Sequence, residues 1–367
     1  MKSIYKYLLW AALVLSVLSA YFYFAGQYAI FGPLLVFFFL ALAIGVRGYD
    51  NVKGFSFAFI IFAAVALAMN YPNVFVSWGD FQLKSLIVPL LQIIMFGMGT
   101  AMSIKDFGAV VKNPKAVFIG LACQFTIMPI IGAILVFLFK FPPEIAAGVI
   151  LIGSSPSGLA SNVMAYIGKA NLALSVTLTT VATLLAPFVT PILMKMLGDQ
   201  LVPIDLWGMM WSITKITILP IVAGLVFNKL FHGKTEWLDK AMPLVSMAGI
   251  ALIITVITAA GRDNLLAMGA LLVLVGLIHN LSGYFLGYWG CRLFKLDEKS
   301  CRTIAFEVGM QNAGLASGLA TEMGKVATLG LAPAVFGPMM NITGSSLATW
   351  WRDKPIKEKD KDVEKKE

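Results

Sequence analysis

Apolar residues in this chain come in blocks long enough to cross a bilayer, separated by short polar and charged stretches. A helical span needs about 20 predominantly apolar residues. Twelve blocks approach that length: 6–25, 29–46, 55–71, 84–102, 115–139, 145–168, 171–196, 207–227, 242–260, 265–291, 301–324 and 332–351. A membrane β-barrel would instead alternate apolar and polar residues in segments of about ten. The pattern predicts an all-α polytopic membrane protein. The first block follows Lys2 and Lys6, as the apolar part of an export signal would. It runs on through Tyr21, Phe22, Tyr23 and Phe24 without a small-residue cleavage site, so a retained helix is expected. After Trp351 the chain from Arg352 to Glu367 is almost wholly charged, which predicts a disordered cytoplasmic tail.

Composition excludes a soluble globule: only 13% of the 367 residues are charged, about half the roughly 25% typical of a soluble domain. Charge placement then tests the helix count. With a cytoplasmic N-terminus and strict alternation, 22 of the 28 Lys and Arg residues lie on the cytoplasmic side, tail included. Lys84, Lys140, Lys195, Arg262 and Lys325 lie outside, and Lys215 falls within a span. Basic residues collect on the cytoplasmic side of membrane proteins, and one miscounted helix would invert every later loop. A multi-pass protein of the cell membrane with both termini cytoplasmic is expected. The basic residues sit at helix ends rather than in one patch, which argues against a nucleic-acid partner. Cys123, Cys291 and Cys301 are too scattered for a disulfide framework or a zinc site. No HExxH, Asp pair or Ser–His arrangement lies within the spans, so the pattern does not predict an enzyme.

Leaving aside the first two spans, the remaining ten divide into two sets of five about the polar link Gly198–Asp205. The fourth span of each set is interrupted by polar residues and glycine: Gly153-Ser-Ser-Pro-Ser-Gly-Leu-Ala-Ser-Asn162 and Glu307-Val-Gly-Met-Gln-Asn-Ala-Gly-Leu-Ala-Ser317. Gly-Leu-Ala-Ser recurs at 158–161 and 314–317. Because five is odd, the halves run in opposite directions, and inverted repeats with interrupted helices mark transporter binding sites near the midplane. The domains expected are 1–53, two extra N-terminal helices; 54–200, the first five-helix repeat; 201–351, the second; and 352–367, the tail.

Glu307 carries a charge into an apolar span, where it costs at least ~2.5–3.5 kcal/mol unless paired or hydrated. Around it stand Gln311 and Asn312, Ser161 and Asn162 of the other half, and Gln124; Ser175 and Thr179 are four apart and share a helix face. All offer oxygen, which suits a hard cation such as sodium. Pro156, Gly309 and Gly314 would free backbone carbonyls as further ligands, and helix N-termini at the breaks would favour an anionic substrate. Taken singly, such polar residues serve helix packing more often than ligation. Lys215 is expected to snorkel or meet a carbonyl, and His279-Asn280 to form a satisfied packing pair.

These residues resemble the bile acid:sodium symporter family, particularly bacterial members of the apical sodium-dependent bile acid transporter type. The similarity runs from about Gly54 to Trp351 and is carried by Ile94-Met-Phe-Gly-Met-Gly99, Ala160-Ser-Asn-Val-Met164, Ala173-Leu-Ser-Val176, Glu307-Val-Gly-Met-Gln-Asn312 and Asn341-Ile-Thr-Gly344. The resemblance implies a ten-helix inverted-repeat core (5+5) with two broken, crossing helices, arranged as a panel and a core domain. It implies a first sodium site at Ser161, Asn162, Ser175, Thr179 and Glu307. A second falls at Gln124, Glu307, Gln311 and the carbonyls of Val308 and Met310. Asn312 and Asn341 would face the substrate. The expected activity is import of an organic anion, bile-acid-like or a small carboxylate, with two Na+ ions. The sequence departs from the family in its two extra helices, in Met340 where many members have His, and in Ser157-Gly158-Leu159 where the family has Gly-Gly-Thr. Two other readings stay open: a sensor that keeps the transporter fold, and a metalloid extruder of the same superfamily. Such extruders place a cysteine in the broken fourth helix, where this chain has Ser154 and Ser155.

Overall fold

The computed structural model describes residues 2–49, 52–102, 113–231, 236–354 and 356. Lys105, Lys112 and Lys234, and the expected tail beyond Lys354 apart from Ile356, lie outside the described residues. The chain is helical almost throughout: α1 Lys2–Phe24, α2 Tyr28–Gly45, α3 Ser56–Asn70, the short α4 Pro72–Val76, α5 Ile87–Ala101 and α6 Pro114–Phe139. There follow α7 Pro143–Ser154, α8 Ala160–Ile167, α9 Leu172–Gly198, α10 Leu206–Ile213, α11 Leu219–Leu230 and α12 Glu236–Ala260. The last four are α13 Arg262–Leu293, α14 Glu298–Gly309, α15 Ala313–Glu322 and α16 Leu331–Arg352. A π-helical turn at Thr214–Ile218 joins α10 to α11.

Nine helices among the described residues are long and apolar enough to cross a membrane, α10–α11 counting as one. The three other expected spans differ in kind. Segment 332–351 is the continuous α16. Segments 145–168 and 301–324 are each two short helices with an unwound link. Proline makes the first break: Pro156 has no N–H to donate and disfavours helical geometry in the residue before it, and Ser155 is extended at φ −79°, ψ 152°. The second link holds no proline. There Met310 leaves the helix at φ −116°, ψ 87°, and Asn312 restarts it by accepting the Leu315 N–H at its side-chain oxygen, 3.0 Å away. One element was not expected from the helical pattern: a two-residue hairpin, Ser77–Trp78 against Phe81–Gln82, between α4 and α5. Gly79 turns it with φ +58°.

The helices pack in two groups. In one, α3, α5, α11 and α12 lie together, with α2 against α3 and α1 against α2. In the other, α13 and α6 hold α7, α14 and α16, with α9 packed on α6, α7 and α8. The unwound links meet inside the second group. Gly158 N–H donates to Met310 O at 3.0 Å, and Asn312 N–H donates to Pro156 O at 2.7 Å, with Ser157 opposite Gln311. Each link thus satisfies backbone groups the other could not satisfy alone, as buried backbone requires. Gly158 eases the approach, since an added Cβ would stand 3.3 Å from Gln311 O and press the links apart by a few tenths of an ångström. Carbonyls freed at the helix ends also find partners: Thr190 donates to Ser154 O, Gln124 to Ser155 O and Asn280 to Gly309 O.

Candidate functional site

Where the links meet, α14 presents Glu307 to α8 and α9. The register is set one turn earlier, where Asn171 N–H, capping α9, donates to Thr303 Oγ1 at 2.9 Å. Four residues on from each, Ser175 and Glu307 face one another, and Thr179 follows one turn later. Glu307 is 1% exposed. Its Oε1 accepts from Ser161 at 2.7 Å and Ser175 at 2.5 Å, and its Oε2 from Ser157 at 2.6 Å and Thr179 at 2.8 Å. Asn162 is drawn in alongside, its Oδ1 2.8 Å from Ser175 Oγ and 3.1 Å from Thr179 Oγ1, the two hydroxyls that face Glu307. No Lys or Arg among the described residues forms an ion pair with Glu307. Hydroxyls supply hydrogen bonds without charge, so the arrangement is a buried acid set among rotatable oxygen donors, the chemistry that accommodates a hard cation.

A second cluster lies beside it. Gln124 Nε2 donates to Gln311 Oε1 at 2.6 Å, and Gln311 Nε2 to Val308 O at 2.6 Å. Gln124 Oε1 is buried without a hydrogen-bond partner, an acceptor able to take a cation. Met310 O already accepts the Gly158 N–H and keeps its second lone pair.

The model of the Sodium Bile acid symporter family matches residues 88–268. A Bacillus subtilis (strain 168) protein named "Uncharacterized sodium-dependent transporter YocS" is 40% identical over 315 residues, covering 86% of this chain and 96% of that one. The chain belongs to the sodium bile acid symporter family. It is also similar to the "Probable sodium/metabolite cotransporter BASS1, chloroplastic" of Arabidopsis thaliana, 34% identical over 262 residues, which cover 71% of this chain and 65% of that one. The chloroplast protein named BASS2 of Oryza sativa subsp. japonica is 34% identical over 273 residues, 74% of this chain and 65% of its own. Membership of this family and nine apolar spans make the chain a multi-pass membrane protein.

In this member a cavity of about 140 Å³ opens against the same links. Asn312, Asn341, Gln311 and Ser317 supply its polar groups, while Leu159 and Met340 line it with Leu91, Ile94 and Met95. Asn341 donates to Gly337 O one turn back at 3.1 Å, and Asn312 is committed through Oδ1 to its cap. The N-termini of α8 and α15 border the cavity through Ala160 and Ala313.

Two residues were missed or misread from sequence. Ser157 was not counted among the groups around Glu307; its orientation depends on the link geometry, and the only sequence signal is a hydroxyl beside the breaking proline. Lys215 was expected to snorkel or meet a carbonyl, and its partner was not foreseen: its Nζ lies 3.1 Å from Glu322 Oε2. The partner is 107 residues away, beyond the reach of local patterning. His279 Nε2 donates to Met128 O at 3.1 Å.

Proposed function

We propose that this chain is a sodium-coupled symporter that imports a small organic anion by alternating access. The observation that carries this reading is Glu307, a buried carboxylate with four hydroxyl donors and no basic partner among the described residues, at the junction of two unwound links. A cation in the bilayer's low dielectric needs a counter-charge and oxygen ligands, and Glu307 offers the charge. In this reading one Na+ binds among Ser161, Asn162, Ser175, Thr179 and Glu307. A second binds among Gln124, Glu307, Gln311 and the carbonyls of Val308 and Met310, where the unpartnered Gln124 Oε1 is available. The relatives' names, a sodium-dependent transporter and sodium/metabolite cotransporters, support sodium as the coupling ion.

The substrate lies against Asn312 and Asn341. A cavity of about 140 Å³ is small beside the ~300–1,000 Å³ of sites for drug-sized ligands, which favours a small carboxylate or sulfonate over a steroid acid. The two bordering helix N-termini supply partial positive charge for it. Residues 54–200 and 201–351 act as inverted five-helix repeats, with residues 1–53 as an addition to them and both termini cytoplasmic. Two cations against one carboxylate leave one positive charge that a monoanion neutralises. One net charge then enters per cycle, and the membrane potential contributes about 2.3 kcal/mol per 100 mV.

The test is uptake into proteoliposomes of small carboxylates and sulfonates, first selected by sodium-dependent thermal stabilisation. Uptake is expected only with an inward sodium gradient, and Glu307→Gln is expected to abolish both uptake and the sodium-induced stabilisation. Equal uptake when choline replaces sodium would refute the reading.

A further inference from the structure

A second and larger cavity, about 660 Å³, lies apart from the links, between the ends of α13 and α16 and the start of α14. Its walls carry apolar and aromatic residues that are exposed on the molecule's outer face, Phe285, Trp289 and Trp350 among them. In a membrane-spanning chain this face meets lipid rather than water. Tryptophan and tyrosine concentrate at the level of the headgroups, and Tyr288, Trp289, Trp350 and Trp351 together mark that level here.

The rim is basic. Arg292, Arg302 and Lys354 line the cavity against one acid, Glu298, an excess of two positive charges. Glu298 accepts from Arg302 Nε at 2.9 Å and from Tyr288 OH at 2.7 Å, and Arg292 Nη1 lies 3.9 Å from its Oε2, so the acid offsets one of the three positive charges. Arg302 is buried and donates to Trp351 O at 3.0 Å and Lys354 O at 3.3 Å, which pins the end of α16. Lys354 is thereby held with its Nζ 4.1 Å over the Trp350 ring, at the mouth of the groove. Basic pockets between membrane helices at one face of the bilayer recognise acidic headgroups. None of these residues lines the cavity at the links; α16 reaches both, Asn341 lining one and Thr343 and Leu347 the other.

We propose that the groove between α13, α14 and α16 binds one phospholipid with an acidic headgroup, its phosphate at Arg292 and Lys354 and an acyl chain along Phe285 and Leu281. The proposal does not depend on sodium coupling. Full-length protein in neutral detergent is offered phosphatidylglycerol or phosphatidylcholine at equal concentration, and retained lipid is counted by native mass spectrometry. A preference for phosphatidylglycerol on the order of tenfold is expected, because the quaternary ammonium of phosphatidylcholine offsets the charge that the two basic side chains recognise. The double variant R292Q/K354Q should lose it, while K295Q/K299Q, which removes equal charge nearby, should keep it. The melting temperature of R292Q/K354Q without added lipid or sodium should match that of the parent chain, which shows that variant folded and separates this test from the transport reading. Equal retention of both lipids, a preference that survives R292Q/K354Q, or one lost equally in K295Q/K299Q would overturn the proposal. So would equal retention of glycerol 3-phosphate alone, which would mean a free small anion rather than a lipid.

Discussion

At the scale of single residues, the chemistry concentrates on the two oxygens of Glu307. Each receives two hydroxyls: Ser161 and Ser175 at Oε1, Ser157 and Thr179 at Oε2. Their roles differ by where they are anchored. Ser175 and Thr179 stand on the long α9 and Ser161 in the first turn of α8, so helix geometry fixes their direction. Ser157 stands on the unwound link and ties that link to α14. Replacing Ser157 by Ala leaves Oε2 with Thr179 alone and removes the link's side-chain tie to α14, while the backbone contact with the other link remains. Hydrogen bonds to charged groups contribute about 1.5–3 kcal/mol, and the remaining donors recover part of that. Ser157→Ala is therefore expected to weaken apparent sodium affinity about tenfold, near 1.4 kcal/mol, where Glu307→Gln abolishes the response. Sodium titrations followed by thermal shift would measure both. A gain in affinity in Ser157→Ala would mean that its hydroxyl competes with the ion, and would reverse the assignment.

At the scale of elements, the decisive feature is that two interrupted helices complete one another's backbone. The antiparallel contact through Ser157 and Gln311, with the N–H groups of Gly158 and Asn312 donating across it, acts as a clasp between α7–α8 and α14–α15. Gly158 allows it, since a Cβ there would meet Gln311 O at 3.3 Å and Asn312 Cα at 3.5 Å. Gly158→Val overfills that contact, at a cost of about 1–3 kcal/mol. It should lower the melting temperature and shrink the rise produced by sodium, because the clasp also sets the spacing of Gln311 and Glu307. Unchanged melting with and without sodium would count against a tight clasp. Much of this element-level pattern was legible in the sequence. Pro156 announces one break, the recurrence of Gly-Leu-Ala-Ser marks the other, and four-residue spacing puts Ser175 and Thr179 on one face. What was not legible depends on distance in the chain or on the unwound geometry itself. The aim of Ser157, the cap formed by Asn312 and the Lys215–Glu322 pair follow from tertiary placement, and the hairpin at Ser77–Gln82 is too short to leave a periodicity.

At the scale of the whole molecule, two helix groups flank the cavity, and in the alternating-access reading proposed above one moves against the other. Lys215 and Glu322 join them. Lys215 lies on the π turn between α10 and α11, packed on the first group, and Glu322 ends α15, which continues from the second group's unwound link and packs on both α5 and α16; Ser212 also donates to Glu322 Oε2 at 3.0 Å. π turns interrupt helices at points that often serve function, and here the turn's Lys215 carbonyl is held by Gln92 Nε2 at 3.2 Å. The side chains of Lys215 and Glu322 are 38% and 28% exposed, so the pair contributes about 0.2–1 kcal/mol. That is enough to shift a balance between two arrangements up to about fivefold without endangering the fold, and apparent ligand affinity scales with the competent fraction. Lys215→Glu sets two carboxylates together and Glu322→Lys two ammonium groups, so each should disfavour the arrangement seen here and shift apparent sodium affinity in the same direction. The double exchange K215E/E322K restores opposite charges at the same separation and should return the affinity most of the way to that of the parent chain. If the two single effects simply add in the double variant, the pair does not couple the groups, and the contact is only a solvated neighbour of the moving parts.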